Sequence, residues 1–311
     1  MVSYLCMFSE EPLGYDRMME MKLRWHLIKK SFPLFQKFGI HITPNHYYEP
    51  IPDISNMDES LWERETEMKG IDLNVDEQLT FVDEVCQKYK KEYDCFGLNE
   101  ANSECKYFVN NGWFGEVDGD ILYSVIRHYK PKKIIEIGGG WSTLLISYAL
   151  SKNQSETGFL GEITTIDPYI TPILKNEISN LSNIIEKKVQ DVDYSIFQTL
   201  EENDILFIDS SHVVKINSDV CCEYLEILPR LDKGVLIHFH DIFLPREYPK
   251  DWIVKNKFFW NEQYLLQAFL MFNQSFKVVW AGNYMKLKHP AKISELSRSQ
   301  ACQSFWIQKV V

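Results

Sequence analysis

Hydrophobic positions follow two rhythms along this chain, and the change falls near residue 118. Over 16 to 32, Met18, Met21, Trp25, Ile28 and Phe32 recur at alternating steps of three and four, making one apolar helical stripe. Pro33 should close that helix, since proline has no amide hydrogen for the next turn. The stripe reads as core or as the seam of a homodimer. The stretch TPNHYYEPIPD (43 to 53) carries too much proline for regular helix and has the rigidity of a lid. Asn74 with Glu77 resembles a capping box, opening a helix with Leu79, Val82, Cys86 and Tyr89 on one side.

Past residue 118, short β-rich runs alternate with helical periods. Strands are expected at 132–138, 162–168, 184–191, 204–211 and 234–241. Helices are expected at 118–129, 141–152, 171–181, around 194–203, and at 218–231. This alternation predicts an α/β, Rossmann-like parallel sheet with helices on both faces. A helix over EQYLLQAFLMF follows, then strands FKVVWAG and NYMKLKH, which meet at Gly282–Asn283. No crossover fits there, so the pair should be an antiparallel hairpin, for seven strands in all. The implied domains are a mainly helical 1–115, a sheet domain over 116–289 and a tail over 290–311.

Composition narrows the partners. A net charge of -11 and a pI near 5.3 disfavour a nucleic-acid surface, which needs clustered Lys and Arg. No run of about 18 uncharged apolar residues suggests a membrane span, and MVSYLCMFSEEPLG lacks the layout of a signal peptide. Seven cysteines without a CxxC point to neither a disulfide framework nor a cysteine zinc site. A cytoplasmic protein with a small-molecule substrate is expected.

Ligands of open α/β sheets bind at the carboxyl ends of the strands. The first strand ends EIGGGWST: Gly138, Gly139 and Gly140 allow a sharp turn and close ligand approach, and Ser142 or Thr143 can cap the next helix. Asp167 ends the second strand, where an acid can accept both hydroxyls of a ribose. The phosphate-binding form G-x-G-x-x-G fails at Thr143, and no P-loop exists. A nucleoside without a pyrophosphate is favoured, S-adenosylmethionine (SAM) above others.

E-x-G-x-G at one strand end, an acid at the next and the closing antiparallel pair together resemble a class I SAM-dependent methyltransferase. That resemblance covers 118–289. It implies that Glu136, Gly138 and Gly140 line the methionine and ribose side and that Asp167 holds the ribose. It also implies that Asp191 faces the adenine amino group, although a helix N-cap is an equal reading of Asp191.

The fourth strand ends FIDSSH and the fifth reads VLIHFHDIFLP. Adjacent strands would bring Asp209, His212, His240 and Asp241 together, as a metal or acid/base constellation. This resembles the metal-dependent O-methyltransferase branch of macrolide-sugar methyltransferases and cephalosporin-hydroxylase-like proteins. The HDIF and NEQYLL stretches resemble a bacterial subgroup of it. On that resemblance Asp209 and Asp241 hold Mg²⁺ or Mn²⁺ and His212 is the general base. His240 stands where the branch has Glu, as a third ligand or a supporting residue; imidazole suits Mn²⁺, Fe²⁺ or Zn²⁺ better than Mg²⁺. His238, deeper in the strand, reads as structural. The loop 242–252, with Arg246, shapes an acceptor pocket or simply connects. In 260–270, Glu262 and Gln263 are the only polar candidates of a core helix. The leading expectation is methyl transfer to a hydroxyl of a sugar or other small molecule. An amine acceptor without metal, a metal-dependent hydrolase or hydroxylase, and a noncatalytic nucleotide-binding subunit are the alternatives.

Overall fold

A computed structural model describes residues 15–55, 57–102, 105–175, 178–297 and 302–311, with side chains from 23 onward. The N-terminal MVSYLCMFSEEPLG, expected to be no signal peptide, and the Met18 and Met21 side chains lie outside these. The chain divides into units 1–59 and 60–311.

In the first unit, α1 (Tyr15–Gln36) runs on through Pro33 instead of ending there. Pro33 and Lys29 are both exposed, so water can take the carbonyl that the missing amide leaves open. Trp25, Ile28 and Phe32 are half-buried on one stripe. His46 meets Trp25 edge-on at 5.1 Å, and His41 stacks on Phe32 at 5.2 Å. The irregular segment after α1 thus covers the stripe with rings.

The second unit opens on α2 (Val75–Thr80), a π-helical stretch Phe81–Cys86 and α3 (Gln87–Tyr93). Val82, Cys86 and Tyr89 are buried, and Leu79 packs on the same cluster. The expected capping box does not form. Asn74 is left-handed at φ 48° and its side-chain amide donates instead to Val278 O, 3.1 Å away.

The sheet is seven-stranded and mixed. Helix α4 (Glu116–Tyr129) leads into β1 (Lys133–Ile137), then α5 (Trp141–Thr157), β2 (Glu162–Ile166) and β3 (Leu181–Ile185). Next come β4 (Ile205–Ile208), α6 (Asp219–Cys222) with a π-helical continuation Glu223–Ile227, and β5 (Leu236–Phe239). Helices α7 (Lys250–Val254) and α8 (Glu262–Leu270) precede β6 (Phe276–Ala281). Helices α9 (Gly282–Lys288) and α10 (Pro290–Leu296) then lead to β7 (Phe305–Lys309). The order is β3-β2-β1-β4-β5-β7-β6, with β7 antiparallel to both β5 and β6.

Three expectations change here. The second antiparallel strand is β7, inside the supposed tail, while Gly282–Lys288, most of the expected strand, is helical. NYMKLKH alternates like a strand, but the position beside β5 is taken by FWIQK, whose aromatic and β-branched residues suit a buried ladder better. The helix expected at 171–181 is not there: its described residues form turns and the start of β3. The third strand ends at Ile185, and a turn closed by Lys187 N donating to Ile185 O stops it.

Register sets the site. Ile137 pairs with Ile166 and Ile208, and Ile208 with Phe239. Gly138, Asp167, Asp209 and His240 therefore leave the sheet on one line. Every side chain of β4 and β5 is buried, as parallel central strands require. Each large apolar side chain there stabilises the fold by roughly 1.5–3 kcal/mol, which keeps that edge rigid.

Candidate active site

The turn after β1 needs its first two glycines for different reasons. Gly138 has φ 84°, and a Cβ there would stand 1.9 Å from Asp209 O. A Cβ on Gly139 would stand 2.4 Å from Thr165 Cγ2. Gly140 is extended and a Cβ would meet nothing within 4 Å, so the protein itself does not demand glycine there.

Glu136 does not reach the cleft. It is fully buried and accepts from Ser142 Oγ (2.7 Å), Thr143 Oγ1 (2.6 Å) and Thr165 Oγ1 (2.9 Å). Burial pushes its carboxyl up to about 7 against the pull of those hydroxyls. Gly140 N donates to Thr143 Oγ1 at 3.0 Å, so Glu136 holds the glycine turn from beneath through Thr143. Asp167 accepts from Gly139 N (3.1 Å) and Tyr169 N (2.7 Å), which fixes its carboxylate at the rim. Asp191 ends a short 3-10 turn, of which Val189 and Gln190 line the cleft and Asp191 does not.

Two cavities share Gly138, Asp167, Asp209 and Ser210. One, of about 440 Å³, runs past Asp167, Tyr169 and Val189. The other, of about 640 Å³, runs over Gly138–Gly140, Ser142, His212, His240 and Asp241, with Trp113, Phe114, Trp141 and Trp260 on its walls.

At their junction Asp209, His212 and Asp241 each place a ligand atom within 4.8 Å of the others. His212 Nε2 lies 3.3 Å from Asp209 and 3.6 Å from Asp241. His212 and Asp241 are both left-handed, at φ 58° and 54°. Such backbones cost on the order of 1–3 kcal/mol each and concentrate at functional sites. His240 Nε2 lies 3.8 Å from Asp241, while its buried Nδ1 has no partner among the described residues.

Charge balance follows from this crowding. Burial alone would lower the His212 pKa, but Asp209, Glu262 and Asp241 outweigh it and hold it well above its ordinary value. His240 is raised too, with burial overcome by Asp241, Asp209 and Asp118. Burial raises Asp241 despite both imidazoles, whereas Asp209 ends below its ordinary value because His240 and His212 overcome burial. The carboxylates are thus partly neutralised by imidazolium protons, and a divalent cation offers the same compensation. The carboxylates of Asp209 and Asp241 are hard oxygen donors that suit Mn²⁺ or Mg²⁺, so the residues present fit the implied metal; an imidazole joining them would favour Mn²⁺ over Mg²⁺. His238 stacks on Phe207 at 3.9 Å, and burial holds it well below its ordinary pKa, so it is a neutral core residue.

The triplet Asn261–Glu262–Gln263 fastens the two loops that carry these groups. Asn261 N and Glu262 N donate to His212 O at 3.0 and 3.2 Å, and Asn261 Oδ1 accepts from Val214 N at 2.6 Å. Glu262 accepts from Tyr224 Oη at 3.0 Å and meets His212 Nδ1 at 2.8 Å. Gln263 accepts from Phe243 N (3.0 Å) and donates to Arg246 O (3.1 Å) on the other loop. Sequence reasoning marked Glu262 and Gln263 as polar but gave them no partner, and it missed Tyr224, Trp113, Phe114 and Trp260. The one local signal was three consecutive polar residues at the start of an otherwise apolar helix.

The strand order, the glycine turn after β1 and the acid after β2 define a Rossmann-like methyltransferase fold. Residues 135–242 match the family model of a methyltransferase domain. A protein of Archaeoglobus fulgidus, itself uncharacterised, is 35% identical over 189 residues, spanning 58% of this chain and 84% of its own. Among solved structures, the chain is similar to apo CmcI-N160, with 12% identity and a TM-score of 0.38 over 62% of this chain and 71% of that one. It is also similar to MycE methyltransferase of the mycinamycin biosynthetic pathway, solved with Mg, SAH and mycinamycin VI, with 14% identity and a TM-score of 0.32 over 60% and 47%. Residues 135–242 thus carry a methyltransferase domain on this Rossmann-like sheet. Among the described residues, no helix is long and apolar enough to cross a membrane.

Proposed function

We propose that the chain moves a methyl group from SAM to a hydroxyl of a small molecule, with Asp209 and Asp241 holding a divalent cation. The observation that carries this reading is the meeting of Asp209, His212 and Asp241 within 4.8 Å, on the cavity that also contains the glycine turn. Asp167 and Gly138–Gly140 hold the co-substrate, and Gly140 leaves space for its approach. A bound cation supplies Lewis acidity that lowers the pKa of an acceptor hydroxyl. His212 Nε2 faces the cavity side and takes the hydroxyl proton; its Nδ1 is fixed by Glu262. Compensation of the Asp209 and Asp241 charges lowers the His212 pKa and readies it for that proton. The acceptor oxygen forms its bond to the methyl carbon as the carbon–sulfur bond breaks, and the side chains contribute chiefly alignment.

The test is calorimetric binding of S-adenosylhomocysteine (SAH), followed by methyl transfer to hydroxylated acceptors with and without EDTA. Binding of SAH with transfer lost in EDTA and in His212→Ala is expected. Absence of SAH binding defeats the reading; transfer that survives both treatments defeats the metal-and-base part of it.

A further inference from the structure

The two cavities differ in charge. Lys188 and Lys215 lie on the smaller one. The larger one contains Asp167, Asp209 and Asp241, and none of its described lining residues is Lys or Arg. Its walls are indoles instead. Trp260 sits 4.5 Å from the His212 ring and is braced by Phe258, stacked on it at 5.1 Å. Trp141 is held by Phe108 at 4.7 Å. Trp113 is 82% exposed although it lines the same cavity, so packing of the fold does not account for it.

We propose that the acceptor is an electrically neutral hydroxylated ring compound, a phenol or a glycoside whose flat apolar face lies along these indoles. Phosphorylated and carboxylated acceptors are rejected. This rests on the O-methyl-transfer reading above. An anionic group entering here meets carboxylates and finds no Lys or Arg, and the imidazoles of His212 and His240 already face Asp209 and Asp241. One uncompensated like charge about 6 Å away weakens binding on the order of 100-fold at an effective dielectric near 20. A dication on Asp209 and Asp241 is balanced by those two carboxylates and adds no surplus positive charge. A neutral ring loses nothing to that field and gains contact with the indole faces.

The experiment uses the full chain with SAM and Mn²⁺, after SAH binding has been measured. Catechol is compared with protocatechuate, and phenyl glucoside with its phosphate ester, by kcat/KM. The neutral member of whichever pair reacts should win by on the order of 100-fold. Trp113→Ala should raise KM for that neutral member about tenfold, more than it lowers kcat, with its thermal midpoint unchanged. Comparable use of the charged member overturns the proposal, and so does an unchanged KM in Trp113→Ala. Intact SAH binding with no turnover of either neutral compound overturns it while leaving the cofactor reading in place. Loss of SAH binding in the unaltered chain removes both.

Discussion

His212 Nδ1 lies 2.8 Å from a carboxylate oxygen of Glu262, fifty positions later in the chain. A carboxylate in that place fixes the ring's tautomer and turns Nε2 toward Asp209 and Asp241. Glu262→Gln keeps the volume and loses the charge. It should lower kcat about 10–100-fold with little change in SAH affinity. Tyr224→Phe, which removes only the bond that steadies Glu262, should cost less. Steady-state kinetics beside calorimetry decide it, and an unchanged kcat in Glu262→Gln would show that His212 needs no such partner.

Removing metal should silence the enzyme. EDTA is expected to reduce methyl transfer at least about 100-fold, with Mn²⁺ restoring it. Asp209→Asn and Asp241→Asn should not be rescued by Mn²⁺ at concentrations that saturate the unaltered chain. Activity followed through a metal titration checks this, and full activity in EDTA speaks against it.

Gly138 and Gly140 make a sharp contrast. Gly138→Ala puts a methyl group 1.9 Å from Asp209 O at a left-handed φ, so it should lower the thermal midpoint markedly. Gly140→Ala meets no atom within 4 Å and should leave the midpoint nearly unchanged while weakening SAH binding about tenfold or more. Melting and calorimetry on both variants separate fold from ligand approach. Equal SAH affinity in Gly140→Ala would place the cofactor elsewhere.

Two buried carboxyls make stability depend on pH. Burial pushes Glu136 up to about 7 and Asp120 up to about 8, from ordinary values of 4.5 and 3.8. Each folded pKa exceeds its unfolded one, so the native state keeps protons that the unfolded chain releases. Their contribution to stability is therefore greatest at acid pH, falls as pH rises from about 4 to about 8, and is level beyond. Glu136 alone accounts for about 3 kcal/mol of that fall. Glu136→Gln should flatten the decline between pH 5 and pH 7, as measured by urea midpoints. A decline just as steep in that variant would assign it to other groups.

The central sheet was legible because β4 and β5 are buried on both faces and so read as continuous apolar runs. The outer strand β3 was misplaced: Ser182, Asn183 and Ile184 are exposed, so no such run marks it. Asp209, His212 and Asp241 could be expected together since each follows a strand end at one edge. Glu262, Tyr224 and Trp113 could not, because they come from helices and a loop whose docking no local pattern encodes.

The placement of β7 sets a schedule for biosynthesis. β5, which leads into Asp241, pairs on one side with β4 and on the other with residues 305–309. At 5–20 residues per second, a ribosome takes roughly 3–13 s to travel from one strand to the other. Throughout that interval β5, the strand just ahead of His240, presents an open, apolar ladder, the kind of edge on which chains aggregate. The ladder beside Asp241 thus closes only once residues 305–309 have been made, so the edge that carries the chemistry is among the last parts of the sheet to be completed.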